Sequence, residues 1–171
     1  MIRVLHCVAG LGRGGAEKQL ALLCQATRNS VDHQIVAAGT ERFCYPGLTE
    51  SMPVVHDAGP GSPRDPRTVW RIARAVRQQR PDILHCWLPS MNLAGGLAAR
   101  LAFPGRPRVV ASIRNVDDWK GPVRTFTDRI ASRLWDRILC NSQAGLACAL
   151  RQGLPGEKLH YVPNGIVERD R

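Results

Sequence analysis

Glycines stand at the first, third and sixth positions of Gly10-Leu-Gly-Arg-Gly-Gly15, between an apolar run and an amphipathic stretch. That spacing suits an anion, because a backbone without side chains can approach a phosphate that faces helix N-terminal amides. A tight strand-to-helix turn with no ligand satisfies the same pattern. Glu17 then either favours the helix dipole from the first turn or lines the site. A second group is His85 with Trp87: a histidine that packs or binds, and an indole that stacks on a ligand or underlies a loop. A third is Ser112-Ile-Arg-Asn-Val-Asp-Asp-Trp119. There Arg114 offers a bidentate contact to phosphate, Asn115 adds an amide, and Asp117 can accept from ligand hydroxyls. Asn141 and Ser142 open a helix, Ser142 as its N-cap or as a ligand contact. No nucleophile–base pair stands out, so the catalytic residues stay unassigned.

The elements that must carry these groups alternate. Strands are expected at 2–8, 34–38, 54–55, 83–87, 108–112, 137–140 and 159–162. Helices are expected at about 15–27, 66–79, 90–101, 122–135 and 142–152, from apolar residues at helical spacing. The first helix should bury Ala16, Leu20, Leu23 and Cys24. Asp65 and Pro66 read as N-cap and first helical position, with Val69, Ile72, Ala73 and Val76 inward. Ser90 reads as an N-cap followed by Asn92, and Val123, Phe126, Ile130 and Leu134 read as an inward stripe. Alternating strands and long helices predict a doubly wound, Rossmann-like parallel α/β sheet of about seven strands with helices on both faces. Ligands of such sheets lie beyond the carboxyl ends of the strands. The Pro/Gly-rich stretch 59–63 reads as a surface loop, not a domain boundary.

At 171 residues, 44% of them hydrophobic, the chain can bury a sizeable core. It has neither an apolar run of membrane-spanning length nor a signal-peptide pattern, which predicts a cytoplasmic protein. Its six cysteines are scattered without a C-x-x-C pair, so neither a metal site nor a disulfide framework is expected. The formal charge is +10, and with only Lys18, Lys120 and Lys158 as lysines, 21 of the 24 basic residues are arginine. Such a balance reflects either composition bias or a phosphate-rich partner. Dispersed arginines and 5% aromatics argue against nucleic acid. Arg67, Arg71 and Arg74, with Arg77 and Trp70 on the flank, suggest peripheral contact of helix 66–79 with the anionic inner face of the membrane. A dinucleotide site would want an acid near the tip of the second strand, but Val36-Ala-Ala-Gly-Thr40 has none and Glu41 comes late.

The longer string Gly10-Leu-Gly-Arg-Gly-Gly-Ala-Glu-Lys18 resembles the first loop of group 1 (family 4) glycosyltransferases, with its G-G-A-E signature. Pro81-Asp-Ile-Leu-His-Cys-Trp87 resembles that family's fourth strand and its histidine. Cys140-Asn-Ser-Gln-Ala144 resembles the sixth strand and helix start. Lys158-Leu-His-Tyr-Val-Pro-Asn-Gly-Ile166 is similar to the family's K-x-x-V-I-P-N-G-I at the interdomain crossover. The resemblance implies the N-terminal half of a GT-B fold. Residues 1–163 would form the acceptor-side domain and 164–171 the start of the crossover, hinged at Asn164 and Gly165, without the C-terminal donor domain. It implies a retaining, metal-independent transfer, without a cofactor, from a UDP- or GDP-linked sugar to a carbohydrate, lipid-linked or polysaccharide precursor. It also implies that Gly14 and Gly15 lie against the donor diphosphate, with Gly12 a turn residue. His85, Trp87, Arg114, Asn115 and Asp117 become acceptor-side candidates. Many members carry a histidine after the fifth strand; Arg114-Asn115 replaces it here. Two other readings compete: half of a nicotinamide-dependent oxidoreductase or epimerase, and a non-enzymatic basic module that grips membrane or nucleic acid.

Overall fold

A computed structural model describes residues 1–38, 55–57, 65–102, 106–116 and 121–166. Seven parallel strands form one sheet in the order β3-β2-β1-β4-β5-β6-β7. They are β1 (Ile2–Val8), β2 (Val31–Ala37), β3 (Val55–Asp57), β4 (Ile83–Trp87), β5 (Arg108–Ile113), β6 (Arg137–Cys140) and β7 (Leu159–Tyr161). The helices are α1 (Gly15–Thr27), α2 (Pro66–Gln79), α3 (Leu88–Leu101), α4 (Pro122–Ala131) and α5 (Gln143–Arg151). The order reverses at β1, which borders both β2 and β4, and this is where a doubly wound sheet opens a crevice for ligand.

Side-chain alternation along the strands divides the core between the two faces. Leu5, Cys7, Leu84, Cys86, Val109, Ala111 and Ile138 pack with Ile72 and Val76 of α2, Met91 and Ala98 of α3, and Ala149 of α5. On the other face Ile35, Ala37 and Trp87 meet Leu20 and Cys24 of α1. One side therefore carries α2, α3, α5 and the end of α4, while α1 covers the other among the described residues. α3 lies close to the sheet because Gly95 and Gly96 have no side chains. A Cβ on Gly95 would sit 2.2 Å from Cys86 Sγ, and one on Gly96 would sit 2.9 Å from Leu134 Cβ.

Local signals account for most boundaries. Asp65 caps α2, its Oδ1 accepting from the Arg67 amide at 2.8 Å, with Pro66 first in the helix. Four expectations change. β2 begins at Val31, three residues early, because β1 continues pairing with it down to Ile2. α3 begins at Leu88, so Ser90 lies within its first turn and caps nothing; Pro89 marks the start. In α1, Ala21 is buried and Leu23 exposed, because the buried stripe runs through Leu20, Ala21 and Cys24. The helix expected at 122–135 ends at Ala131 and tightens into a 3-10 turn, Ser132–Leu134. Three of its four stripe residues face outward: Val123, Phe126 and Ile130 are exposed, whereas Leu134 packs against the core and Ala131 and Trp135 are buried. The stretch 59–63 and Asp117 lie outside the described residues.

Candidate functional site

The carboxyl ends of β1, β4, β5 and β6 converge on the N-terminus of α1. A pocket of about 330 Å³ opens there, lined by Gly14, Gly15, Glu17, Leu88, Arg114, Asn115, Asn141 and Asn164 among others. Seven of the residues singled out from the sequence thus meet in one concavity, Asn164 among them. Gly14 has extended backbone (φ −118°, ψ 163°) and precedes the helix, its carbonyl accepting from the Lys18 amide at 3.1 Å. Among the described glycines only Gly153 has positive φ. The first-turn glycines are therefore not required by a left-handed backbone. A Cβ at Gly15 would meet nothing within 4 Å, and one at Gly14 would collide with the Glu17 carboxylate. Glu17 folds back over the turn, while the Cβ side of Gly15 faces open space.

Arg114 is the cation of this edge. Its Nη1 donates to Asn164 Oδ1 at 2.9 Å, and its guanidinium carbon lies 4.3 Å from the centre of the Trp87 ring. Its Nε is buried and has no hydrogen-bond partner among the described residues. Burial lowers the guanidinium pKa to about 10, still far above neutrality. Arg114 is thus charged, desolvated, and incompletely satisfied. Such a group gains from an anion more than a solvated arginine does.

Trp87 is not a rim residue. It is 2% exposed, its ring is covered by Arg114, and its Nε1 donates to His6 Nδ1 at 3.3 Å. That bond sets a chain of tautomers. His6 Nε2 must carry the hydrogen and donates to His33 Nδ1 at 3.0 Å. His33 Nε2 donates in turn to Thr27 Oγ1 at 2.7 Å, whose hydroxyl donates to Leu23 O at 2.7 Å. Burial, reinforced by charge at His85 and then His33, holds the His6 pKa well below its usual value. The ligand-capable atoms of His6, Cys24 and His33 lie within 4.8 Å of one another. Their hydrogen bonds account for both imidazoles, and burial raises the Cys24 thiol to about 12, so the cluster functions as a polar brace beneath Trp87.

His85 is buried, and its Nε2 shares a 2.7 Å hydrogen bond with Ser112 Oγ. Asn92, expected as a polar first-turn residue, is buried and clamps the same serine: its Nδ2 donates to Ser112 O at 3.0 Å and its Oδ1 accepts from Ser112 N at 3.2 Å. The pKa of His85 falls to about 3, mainly through burial and then through Arg114 and His33, so the ring is neutral. It lines a second pocket of about 490 Å³ between α1 and residues 162–166, with Leu22, Leu23, Trp87, Val162 and Ile166. Ser142 caps α5, its Oγ accepting from the Gly145 amide at 3.0 Å, whereas Asn141 faces the first pocket.

Gln19 was not evident from the sequence. Its Nε2 donates to Gly165 O at 2.9 Å and its Oε1 accepts from Gly165 N at 2.7 Å, fastening the end of the described chain to α1. Its position one helical turn after Gly15, on the same face, was the signal available. Asn164 and Gly165 are therefore both tied to the domain that precedes them.

The profile of the family described as Glycosyltransferase Family 4 matches residues 13–169. EpsF of Bacillus subtilis (strain 168), provisionally named a glycosyltransferase, is 27% identical over 189 residues, covering 96% of this chain and 45% of EpsF. Among solved structures, Anabaena Alr3699/HepE in complex with UDP and glucose superposes with a TM-score of 0.79 at 15% identity, over 97% of this chain and 45% of that one. UDP-GlcNAc 2-epimerase from Methanocaldococcus jannaschii superposes with a TM-score of 0.62 at 14% identity, over 95% and 46%. The chain thus spans about half the length of the proteins it matches. The fold is common to transferases and epimerases alike.

Proposed function

The chain belongs to glycosyltransferase family 4, and from that premise we propose that it is the acceptor-facing half of an enzyme that takes its sugar from a UDP- or GDP-linked donor. The observation that carries the reading is the first pocket. It brings the first turn of α1, with open space at Gly15, together with the incompletely satisfied guanidinium of Arg114. The amides of the first helical turn would receive the diphosphate along the positive end of the helix dipole. Arg114 would supply a full positive charge beside it, in the place where many family members have histidine. Cations and amides already facing the leaving diphosphate give transfer a route to charge stabilisation without a metal or another cofactor. Asn115, Asn141 and Asn164 ring the same space and would orient hydroxyl groups. His85 is neutral and buried; its role is to hold Ser112 and the floor of the cleft, not to exchange protons near neutrality.

Support comes from the family match and from HepE, whose structure contains UDP and glucose on the same fold. The retaining outcome and a lipid-linked or polysaccharide precursor as acceptor rest on the sequence resemblance. The nicotinamide reading is the weaker one, since the tip of β2 at Ala37-Ala38 is apolar where a ribose would want an acid.

Nuclear magnetic resonance titration of the isotope-labelled chain tests the assignment. UDP- and GDP-sugars are expected to move the Gly14, Gly15 and Glu17 amides and the Arg114 side-chain signals, and NAD is expected to leave them in place. Nucleotide sugar that perturbs other residues and leaves these unmoved would overturn it.

A further inference from the structure

Helix α4 is assembled inside out. Val123, Phe126 and Ile130 fall at helical positions i, i+3 and i+7 and therefore form one stripe. In a helix lying on a core such a stripe faces inward, yet these side chains are 79%, 61% and 48% exposed. The face turned towards the body consists instead of half-buried Thr125 and Asp128, with buried Ala131 and Ser132 continuing it. Val116, in the segment leading to the helix, is also exposed. The sequence thus spends its large apolar residues on the outside of this helix and its polar and small ones on the inside.

The charges around the stripe have one sign on the outer side. Arg124, Arg129 and Arg133 are exposed. From residue 121 to 134 the only acid is Asp128, which lies on the inward face. α2 makes the contrast: Ile72, Ala73 and Val76 are core, and Trp70 is its one large exposed apolar side chain. From this combination we infer that α4, not α2, is a docking surface for an anionic lipid bilayer. It lies in the interface with Val123, Phe126 and Ile130 directed into the headgroup–acyl boundary and the arginines level with the lipid phosphates. A second copy of the chain fits less well, because pairing two such faces would bring Arg129 and Arg133 against other arginines. A chain with net charge +10 already favours a negative surface. α4 starts just beyond the loop that carries Arg114 and Asn115, so docking there would hold the ligand edge beside the membrane. The inference stands independently of the transfer reaction.

Sedimentation of the 171-residue chain with phosphatidylcholine vesicles, with and without phosphatidylglycerol, provides the test. Binding is expected only when phosphatidylglycerol is present, and to weaken with added salt. The triple variant V123S/F126S/I130S changes exposed side chains only, so its circular dichroism and urea midpoint should match the parent. Its partition coefficient should fall about tenfold or more, because the apolar area it removes is what the interface buries. The α2 variant W70S/R74S should partition like the parent. Equal partitioning of parent and triple variant would overturn the inference, as would loss confined to the α2 variant. So would a parent that ignores both vesicles and self-associates in analytical ultracentrifugation until the stripe is removed; that result would assign the face to contacts between copies.

Discussion

At the scale of single residues, the buried imidazoles make a prediction about acid. His85 is held at about 3, below its ordinary 6.5, first by burial and then by Arg114 and His33; His6 is shifted in the same direction. A histidine whose folded pKa lies below its unfolded one adds stability that is complete above the unfolded value. That stability is lost as pH falls through the interval towards the folded value. The unfolding free energy should therefore drop steadily from about pH 6.5 downward, by about 1.4 kcal/mol per pH unit for each imidazole that remains neutral in the fold, and the urea midpoint should fall with it. His85→Asn should remove part of the slope, and a flat midpoint over that range would contradict the burial of both rings. A second residue-scale prediction concerns Gly15. Its missing Cβ faces open space, so Gly15→Val should leave thermal stability close to the parent. In the complete enzyme the same change should cost about tenfold or more in kcat/KM, since the branched side chain enters the space assigned to the diphosphate. Unchanged kinetics would make the turn merely structural. These residues were readable as a G-x-G-x-x-G turn because chain proximity alone brings them together. The Arg114–Asn164 and Gln19–Gly165 pairs were not, being 50 and 146 residues apart in sequence.

At the scale of elements, boundaries marked by local chemistry were legible. Asp65-Pro66 starts α2 and Ser142 caps α5, each through a side chain that satisfies an amide of its own first turn. Ser90 carries the same signal and fails, because Pro89 had already opened the helix at Leu88. The orientation of α4 could not be read at all. Periodicity defines a stripe without saying whether a core or an external partner receives it. Close approach is equally silent: Gly95 in α3 resembles any helix-weakening glycine until Cys86 is seen against it. Gly95→Ala should then destabilise despite its better helix propensity. Overpacking a buried strand sulfur costs about 1–3 kcal/mol, against about 1 kcal/mol gained from propensity. Urea denaturation measures the balance, and a net gain would mean that α3 can withdraw from the sheet at little cost.

At the scale of the whole molecule, the seven-stranded sheet with a core on each face leads us to expect one cooperative unfolding transition from the 171-residue chain. On the proposed reading of this chain as the acceptor-facing half of a transferase, it should bind nucleotide sugars weakly and show no sugar-nucleotide hydrolysis. Calorimetry and a hydrolysis assay check both, and tight binding or turnover would mean that the donor site is built mainly from the residues described. The fastening of residues 164–165 matters most at this scale. Arg114 holds Asn164 through Nη1 and also lines the pocket, so an anion there and Asn164 compete for a single side chain. Thermodynamic reciprocity follows from that competition. An anion that draws Arg114 away from Asn164 frees that asparagine, and any movement of Asn164 that frees Arg114 must raise anion affinity by the same factor. Because Gln19 retains Gly165 from both sides of its peptide group, Asn164 stays close when Arg114 releases it, and the coupling is limited to the free energy of the single Arg114–Asn164 hydrogen bond.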